Sequence, residues 1–150
     1  MLPDDVFRER LEQALVEVET AVARMRDHAA VEVSATPRYW RLVVLPFLVE
    51  ACPFELLIKS EQTFSLKLAD QSFENRPVEH FEMFPNLVRA IEDGHVDRIS
   101  KFDAMTDALV AVEMCVTLGP GWEWRGERRI ATSEPSEEGW RTHRYLAYRR

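Results

Sequence analysis

The sequence predicts an α+β domain: an antiparallel sheet of about five to seven strands, with a long N-terminal helix and a shorter middle helix packed on one face. Three observations predict it. Apolar residues recur at helical spacing from Asp4 to about Asp27. Most of the remaining chain alternates with period two, in short runs separated by turn residues. A second helical stretch stops at Gly94, between two such groups of strands.

The first helix carries Phe7, Leu11, Ala14, Leu15, Val18, Val22 and Met25 on one stripe. Pro3 permits a helix start, and Asp4 and Asp5 offer a cap and a favourable charge at its positive end. Arg24 and Arg26 stand at the negative end. Val31–Ala35 reads as a short strand. Tyr39–Val49 reads as a strand in which Pro46 demands an edge, a bulge or a break. Phe54, Leu56 and Ile58 alternate with Glu55, Leu57 and Lys59. After Ser60-Glu61-Gln62, Phe64, Leu66 and Leu68 alternate with Ser65, Lys67 and Ala69, which makes a hairpin. Gln71–Asn75 either extends it or forms a loop.

In the middle zone, Val78–Asp93, Pro85 cannot lie deep in an uninterrupted helix. The reading is a turn over Glu79–Phe84, then a helix from Pro85 with Leu87, Val88 and Ile91 inward. His95–Phe102 reads as a strand and Asp103–Asp107 as a turn. Thr106–Arg129 reads as a hairpin around Gly119-Pro120-Gly121. Ala131–Gly139 is a polar loop, and Trp140–Tyr148 a last alternating strand.

At 150 residues, 46% hydrophobic and 30% charged, the chain fits one globular domain spanning residues 1–150. The longest apolar run, Leu42–Val49, is far shorter than the ~18 residues that cross a membrane. The acidic, amphipathic N-terminus lacks the order of a signal peptide. Cys52 and Cys115 each sit in an apolar segment and read as reduced core thiols, so a cytoplasmic protein is expected. The net charge of −7 is uneven. Residues 1–100 hold 18 acids and 11 Lys or Arg, whereas residues 101–150 hold eight of each. An acidic body opposes general nucleic-acid binding.

The candidates for chemistry are sparse. Glu92-Asp93-Gly94-His95-x-Asp97 has ligand-type residues but no second histidine at a metal-motif spacing, and reads as a solvated turn. Glu79-His80-x-Glu82 could support acid–base work, but side chains two apart on a helix do not face each other. Cys115 lacks the cationic, open setting of a reactive thiol. Glu113 interrupts an apolar strand. Either its face is open to water, which is the expectation, or it is buried with a partner that accompanies a raised pKa.

The remaining candidates are binding residues. Trp122 and Trp124 share one face of their strand, as a core cap or, if exposed, a platform. The tail, with Trp140, Arg141, Arg144, Tyr145, Tyr148, Arg149 and Arg150, interleaves aromatics with arginines. Docking of those arginines on the acidic body is preferred over a polynucleotide site. No cofactor or metal site is expected, since P-loop, GxGxxG, CxxC, HExxH and GxSxG motifs are all missing.

The function expected is that of a non-catalytic cytosolic binding protein: an adaptor, small chaperone or inhibitor of another protein, possible as a homodimer. The alternative is a small-molecule-binding or enzymatic cupped-sheet domain with a pocket between helix and sheet, lined by Phe64, Leu66, Met114 and Trp124 with His80, His95 or Glu113 as the polar group. A third reading is a nucleic-acid accessory protein working through the basic tail, which the acidic body opposes.

Overall fold

The α+β class, the antiparallel pairing and the two helices are present in the computed structural model. It describes residues 1–135 and 137–149. Ser136 of the polar loop and Arg150 of the tail lie outside the described residues.

Helix α1 spans Asp4–Met25 and buries Phe7, Ala14, Val18, Ala21, Val22 and Met25. Asp4 and Asp5 stand in its first turn, but no side chain caps it; Pro3 holds the cap position and its carbonyl accepts from the Phe7 N–H. The two acids therefore act there through charge on the helix dipole. Five strands follow: β1 (Ala29–Ala35), β2 (Tyr39–Pro46), β3 (Phe54–Lys59), β4 (Thr63–Leu68) and β5 (Gln71–Pro77). They pair in sequence order, each antiparallel to the next. Strand β2 stops at Pro46, whose missing N–H would lie on the β3 side, beyond the last β2–β3 pair at Val44 and Phe54, while the bond to β1 from the Phe47 N–H to the His28 carbonyl is still made. Strand β5 is the extension that period two left open, and a bulge lies between its pairing at Phe64 and at Leu66.

Helix α2 runs from Met83 to Glu92, so Pro85 falls in its first turn, where the missing N–H costs nothing. Gly94 follows at φ 81°, in the left-handed conformation that favours glycine after a helix. The second sheet contains β6 (Val96–Phe102), β7 (Leu109–Gly119), β8 (Trp122–Arg129) and β9 (Trp140–Arg144), in the order β8-β7-β6-β9. A 3-10 turn over Glu137–Gly139 leads into β9.

Among the described residues there are thus two sheets, of five and four strands, where period two suggested one of five to seven. Alternation reveals strands but not where a sheet ends. Helix α2 lies between β5 and β6 in the chain, packs on α1 and β7, and carries the backbone from one sheet to the next. Splitting lets two apolar faces share one core, as large twisted sheets tend to do. That core is continuous: Leu42, Val44, Leu56, Ile58, Leu66 and Leu68 from the first sheet, Val112, Met114 and Val116 from the second, and the buried stripes of both helices.

The sheets meet at β5 and β8. Phe73 and Trp124 pack edge to face, with ring centres 5.2 Å apart. Gly126 permits this approach, since a Cβ there would come within 2.6 Å of the Phe73 ring. Arg98 of β6 also reaches Asp70, in the β4–β5 turn, at 2.6 Å. No helix is long and apolar enough to cross a membrane among the described residues.

Candidate functional site

Two features stand out on the surface: a charged lattice on the outer face of the second sheet, and an apolar cleft beside α1. The lattice is built by alternation. Pairing places Asp97, Ile99 and Lys101 of β6 against Cys115, Glu113 and Ala111 of β7, and those against Arg125, Glu127 and Arg129 of β8. On the other flank, β9 sets Arg144 opposite Asp97 and Trp140 opposite Lys101.

Glu113 is the centre. It is 9% exposed, so the open-face expectation for this residue does not hold. Lys101 Nζ donates to it at 2.9 Å and to Glu127 at 2.9 Å. Arg125 donates to its other oxygen and also holds Glu123. Burial alone would raise the Glu113 pKa; the hydrogen bonds from Lys101 and Arg125 outweigh it, and the carboxyl is held below its ordinary value. Lys101 lies 4.4 Å from the centre of the Trp140 ring, a cation–π contact that also shields the pair from water. At the far end Arg144 grips Asp97 with two 2.9 Å bonds, and these lower the Asp97 pKa.

The lattice offers no reactive group. The Cys115 thiol donates to Glu123 at 2.7 Å, and burial first, then that bond, pushes its pKa up to about 12. Burial likewise pushes Cys52 up to about 12. A thiol in this state is not a nucleophile near neutral pH. Asp97, Glu113, Glu123 and Glu127 balance Lys101, Arg125, Arg129 and Arg144, so the face has no net charge with which to attract a polyanion.

The sequence-named residues therefore divide. Glu113, Trp140 and Arg144 belong to the lattice. Trp124 is buried against Phe73, and Trp122 is half-buried at the start of β8. Arg141 projects from the opposite face of β9, over the Phe102 ring and 3.9 Å from Asp107. Tyr145 packs edge to face on His143. Strand β9 ends at Arg144, short of the expected Tyr148, because the chain leaves the sheet to anchor elsewhere. The Leu146 N–H donates to the Glu50 carbonyl, and the Tyr148 N–H to the Glu92 carbonyl. The buried Tyr148 hydroxyl reaches the Cys52 carbonyl at 2.5 Å.

That docking covers Glu92, which is buried rather than solvated, with one carboxylate oxygen unpartnered. His95 lies on a shallow groove between α2 and the β7–β8 turn. His80 stands exposed, 3.6 Å from Glu82. No group of three His, Cys, Asp or Glu side chains could hold a metal ion among the described residues. Phe64, Leu66, Met114 and Trp124 are in the packed core.

A cleft does lie between helix and sheet, but none of Phe64, Leu66, Met114, Trp124, His80, His95 or Glu113 lines it. Helix α1 turns tightly into β1, the Met25 carbonyl accepting from the His28 N–H. From that corner, helix and hairpin diverge. Val18, Ala21, Val22 and Met25 are buried near the corner, while Leu11 and Leu15 are half-exposed toward the open end. The space between has a volume of about 460 Å³. Phe7, Leu11, Leu15, Trp40 and Ile58 form its apolar walls, with Asp4, Arg8, Glu12 and Arg38 also lining it. None of those four charges has an ion-pair partner among the described residues. The helix is tied at its start by Leu2, whose backbone exchanges two hydrogen bonds with the Gln62 side chain, so the cleft has two fixed walls.

A second apolar surface lies at the other end of the first sheet. Leu45, Phe47 and Val49 are exposed there, in the stretch leading to Glu50, with Leu146 docked beside them.

No protein-family model, curated protein or solved structure matches this chain.

Proposed function

We propose that this chain is a non-catalytic, cytoplasmic binding protein that holds an apolar segment of another protein, as an adaptor, small chaperone or inhibitor does. The observation that carries the reading is the cleft between α1 and the β1–β2 hairpin. It leaves Leu11 and Leu15 partly uncovered between two anchored walls. Apolar surface held open in this way is stabilised by a partner that covers it. The exposed Phe47 and Val49 at the opposite end favour a protein over a small ligand, since a small ligand would leave them bare.

The partner's chemistry follows from charge. The cleft's own charges cancel, Asp4 and Glu12 against Arg8 and Arg38, so the charge that selects a partner is the −7 of the whole protein. A segment with apolar residues flanked by Lys or Arg suits both the apolar walls and that charge. The two cysteines are free and buried, which suits a reducing compartment.

The test is capture from native lysate on the immobilised chain at low and high salt, read by mass spectrometry. A partner lost on Leu11→Glu and weakened by salt supports the reading. Recovery of no partner at any salt, or capture indifferent to Leu11→Glu, counts against it. The cleft volume also falls within the range of small-ligand pockets, of roughly 300–1,000 Å³. A cleft-dependent small molecule retained through purification would favour that second reading.

A further inference from the structure

We infer that the open edge of β1 pairs with β1 of a second copy, antiparallel about Val33, to join two five-stranded sheets into one. The inference is independent of the cleft.

The argument begins with which edges are protected. Exposed strand edges invite pairing, and proteins blunt them with charge, proline and bulges. Strand β5 has Glu74, Arg76 and Pro77, a left-handed Asn75 and a bulge against β4. Strand β8 has five charged side chains among eight residues, and β9 has Arg141, His143 and Arg144. Strand β1, AAVEVSA, has one charge, no proline and no bulge against β2. Its Val33 is 37% exposed although it shares a face with the buried Leu42.

Hydrogen bonding then decides which groups are available. The Thr36 N–H donates to the Tyr39 carbonyl, and the Phe47 N–H to the His28 carbonyl. Antiparallel ladders alternate, so Ala30, Glu32 and Ser34 spend their backbone groups on β2. Those of Ala29, Val31, Val33 and Ala35 point outward. One is already engaged: the Val31 carbonyl accepts from Arg26 at 3.3 Å, and its second lone pair remains for an incoming N–H.

Symmetric registers can be centred on Val31, Glu32, Val33 or Ser34, and side chains and strand ends choose among them. An axis at Ser34 sets Val31 opposite Pro37 of the β1–β2 turn, which has no N–H to donate. An axis at Glu32 sets two carboxylates directly opposite, which is destabilising. An axis at Val31 carries Asp27 and His28 of the α1–β1 turn into the pairing, where there is no strand. An axis at Val33 sets Val33 on Val33, Val31 on Ala35, and Glu32 on Ser34 of the second copy. Ser34 is small, and Arg41 is its neighbour on β2. Arg41 holds Glu55 through Nε alone, which leaves its terminal nitrogens to meet the incoming Glu32. Main-chain pairing would add about six hydrogen bonds along the two strands.

The experiment uses the full chain and reads both assembly and register. Sedimentation equilibrium should show a concentration-dependent dimer. Val33→Pro should shift it to monomer while circular dichroism stays unchanged, because the N–H removed points outward; Val33→Lys provides a second, proline-free disruption. Oxidative cross-linking then fixes the register, with native Cys52 and Cys115 buried and unreactive. Val33→Cys should cross-link to itself. Glu32→Cys and Ser34→Cys should each cross-link poorly alone but readily when mixed, at Cα separations a disulfide tolerates. A monomer at every concentration up to about millimolar, or a dimer that Val33→Lys leaves intact, overturns the inference. Preferential self-cross-linking of Glu32→Cys overturns the register.

Discussion

Lys101 Nζ lies 2.9 Å from a Glu113 carboxylate oxygen, between neighbouring strands, with both side chains about nine-tenths out of water. Breaking such a pair from one side leaves a charge with nowhere to go. Lys101→Ala is expected to destabilise the fold by about 3 kcal/mol, at the lower end for a buried pair because Arg125 still holds Glu113. Replacing both partners, as Lys101→Met with Glu113→Leu, should recover most of that loss. Urea unfolding of the two single variants and the double variant checks it. A double variant no more stable than Lys101→Ala would show that the lattice is not organised around this pair.

Phe73 and Gly126 support a second prediction. Gly126 lies where β8 passes under the Phe73 ring, and a Cβ would also come within 2.7 Å of Trp124. Gly126→Val therefore forces both rings to move, at a cost of roughly 1–3 kcal/mol. Phe73→Leu in the same chain should return part of it, because the smaller side chain yields the space. A thermodynamic cycle over the four proteins measures the coupling, and additive effects would mean that the ring contact does not set the distance between the sheets.

These pairs also show what sequence could and could not reveal. Alternation in β7 identified Glu113 as the one charge among apolar neighbours, and its face followed from period two. Its burial did not, because the shield comes from Lys101 and Arg125, on strands 12 residues away in either direction. Period two cannot say which strand will be a neighbour. The same limit hid the division into two sheets and the burial of Glu92, which depends on Tyr148 docking 56 positions later in the chain. In α1, helical spacing correctly found one apolar stripe. It could not show that the hairpin diverges from that stripe at Leu11 and Leu15, since the angle between helix and sheet is a property of packing. The alternation of the tail points to a strand that docks its arginines on acids, but the spacing Glu92-Asp93-Gly94-His95-x-Asp97 points to a solvated turn and does not reveal Asp97 as the acid that Arg144 holds.

Glu92 supplies the last prediction, through pH. It is buried beneath the C-terminal segment with one oxygen unpartnered. Burial raises its pKa; the proximity of Asp93 adds to this, and Arg149, Arg24 and His28 oppose it without prevailing. An acid whose pKa is higher folded than unfolded stabilises the fold most when protonated. Its contribution is complete below the unfolded value of about 4.3 and is lost as pH rises through the folded value. Glu113 and Asp97 have the opposite sign, since their pKa values are lowered. Their contribution is complete above about pH 4–4.5 and is lost as pH falls through the folded values. Glu92→Gln removes only the first dependence. Its stability relative to the native chain should therefore rise between pH 4 and pH 8, while acid unfolding below pH 4 remains. Denaturant titrations across that range measure the difference, and hydrogen exchange at Leu146 and Tyr148 locates it. A difference that is flat with pH would mean that Glu92 ionises folded as readily as unfolded, and that the Tyr148 anchor does not sense its charge.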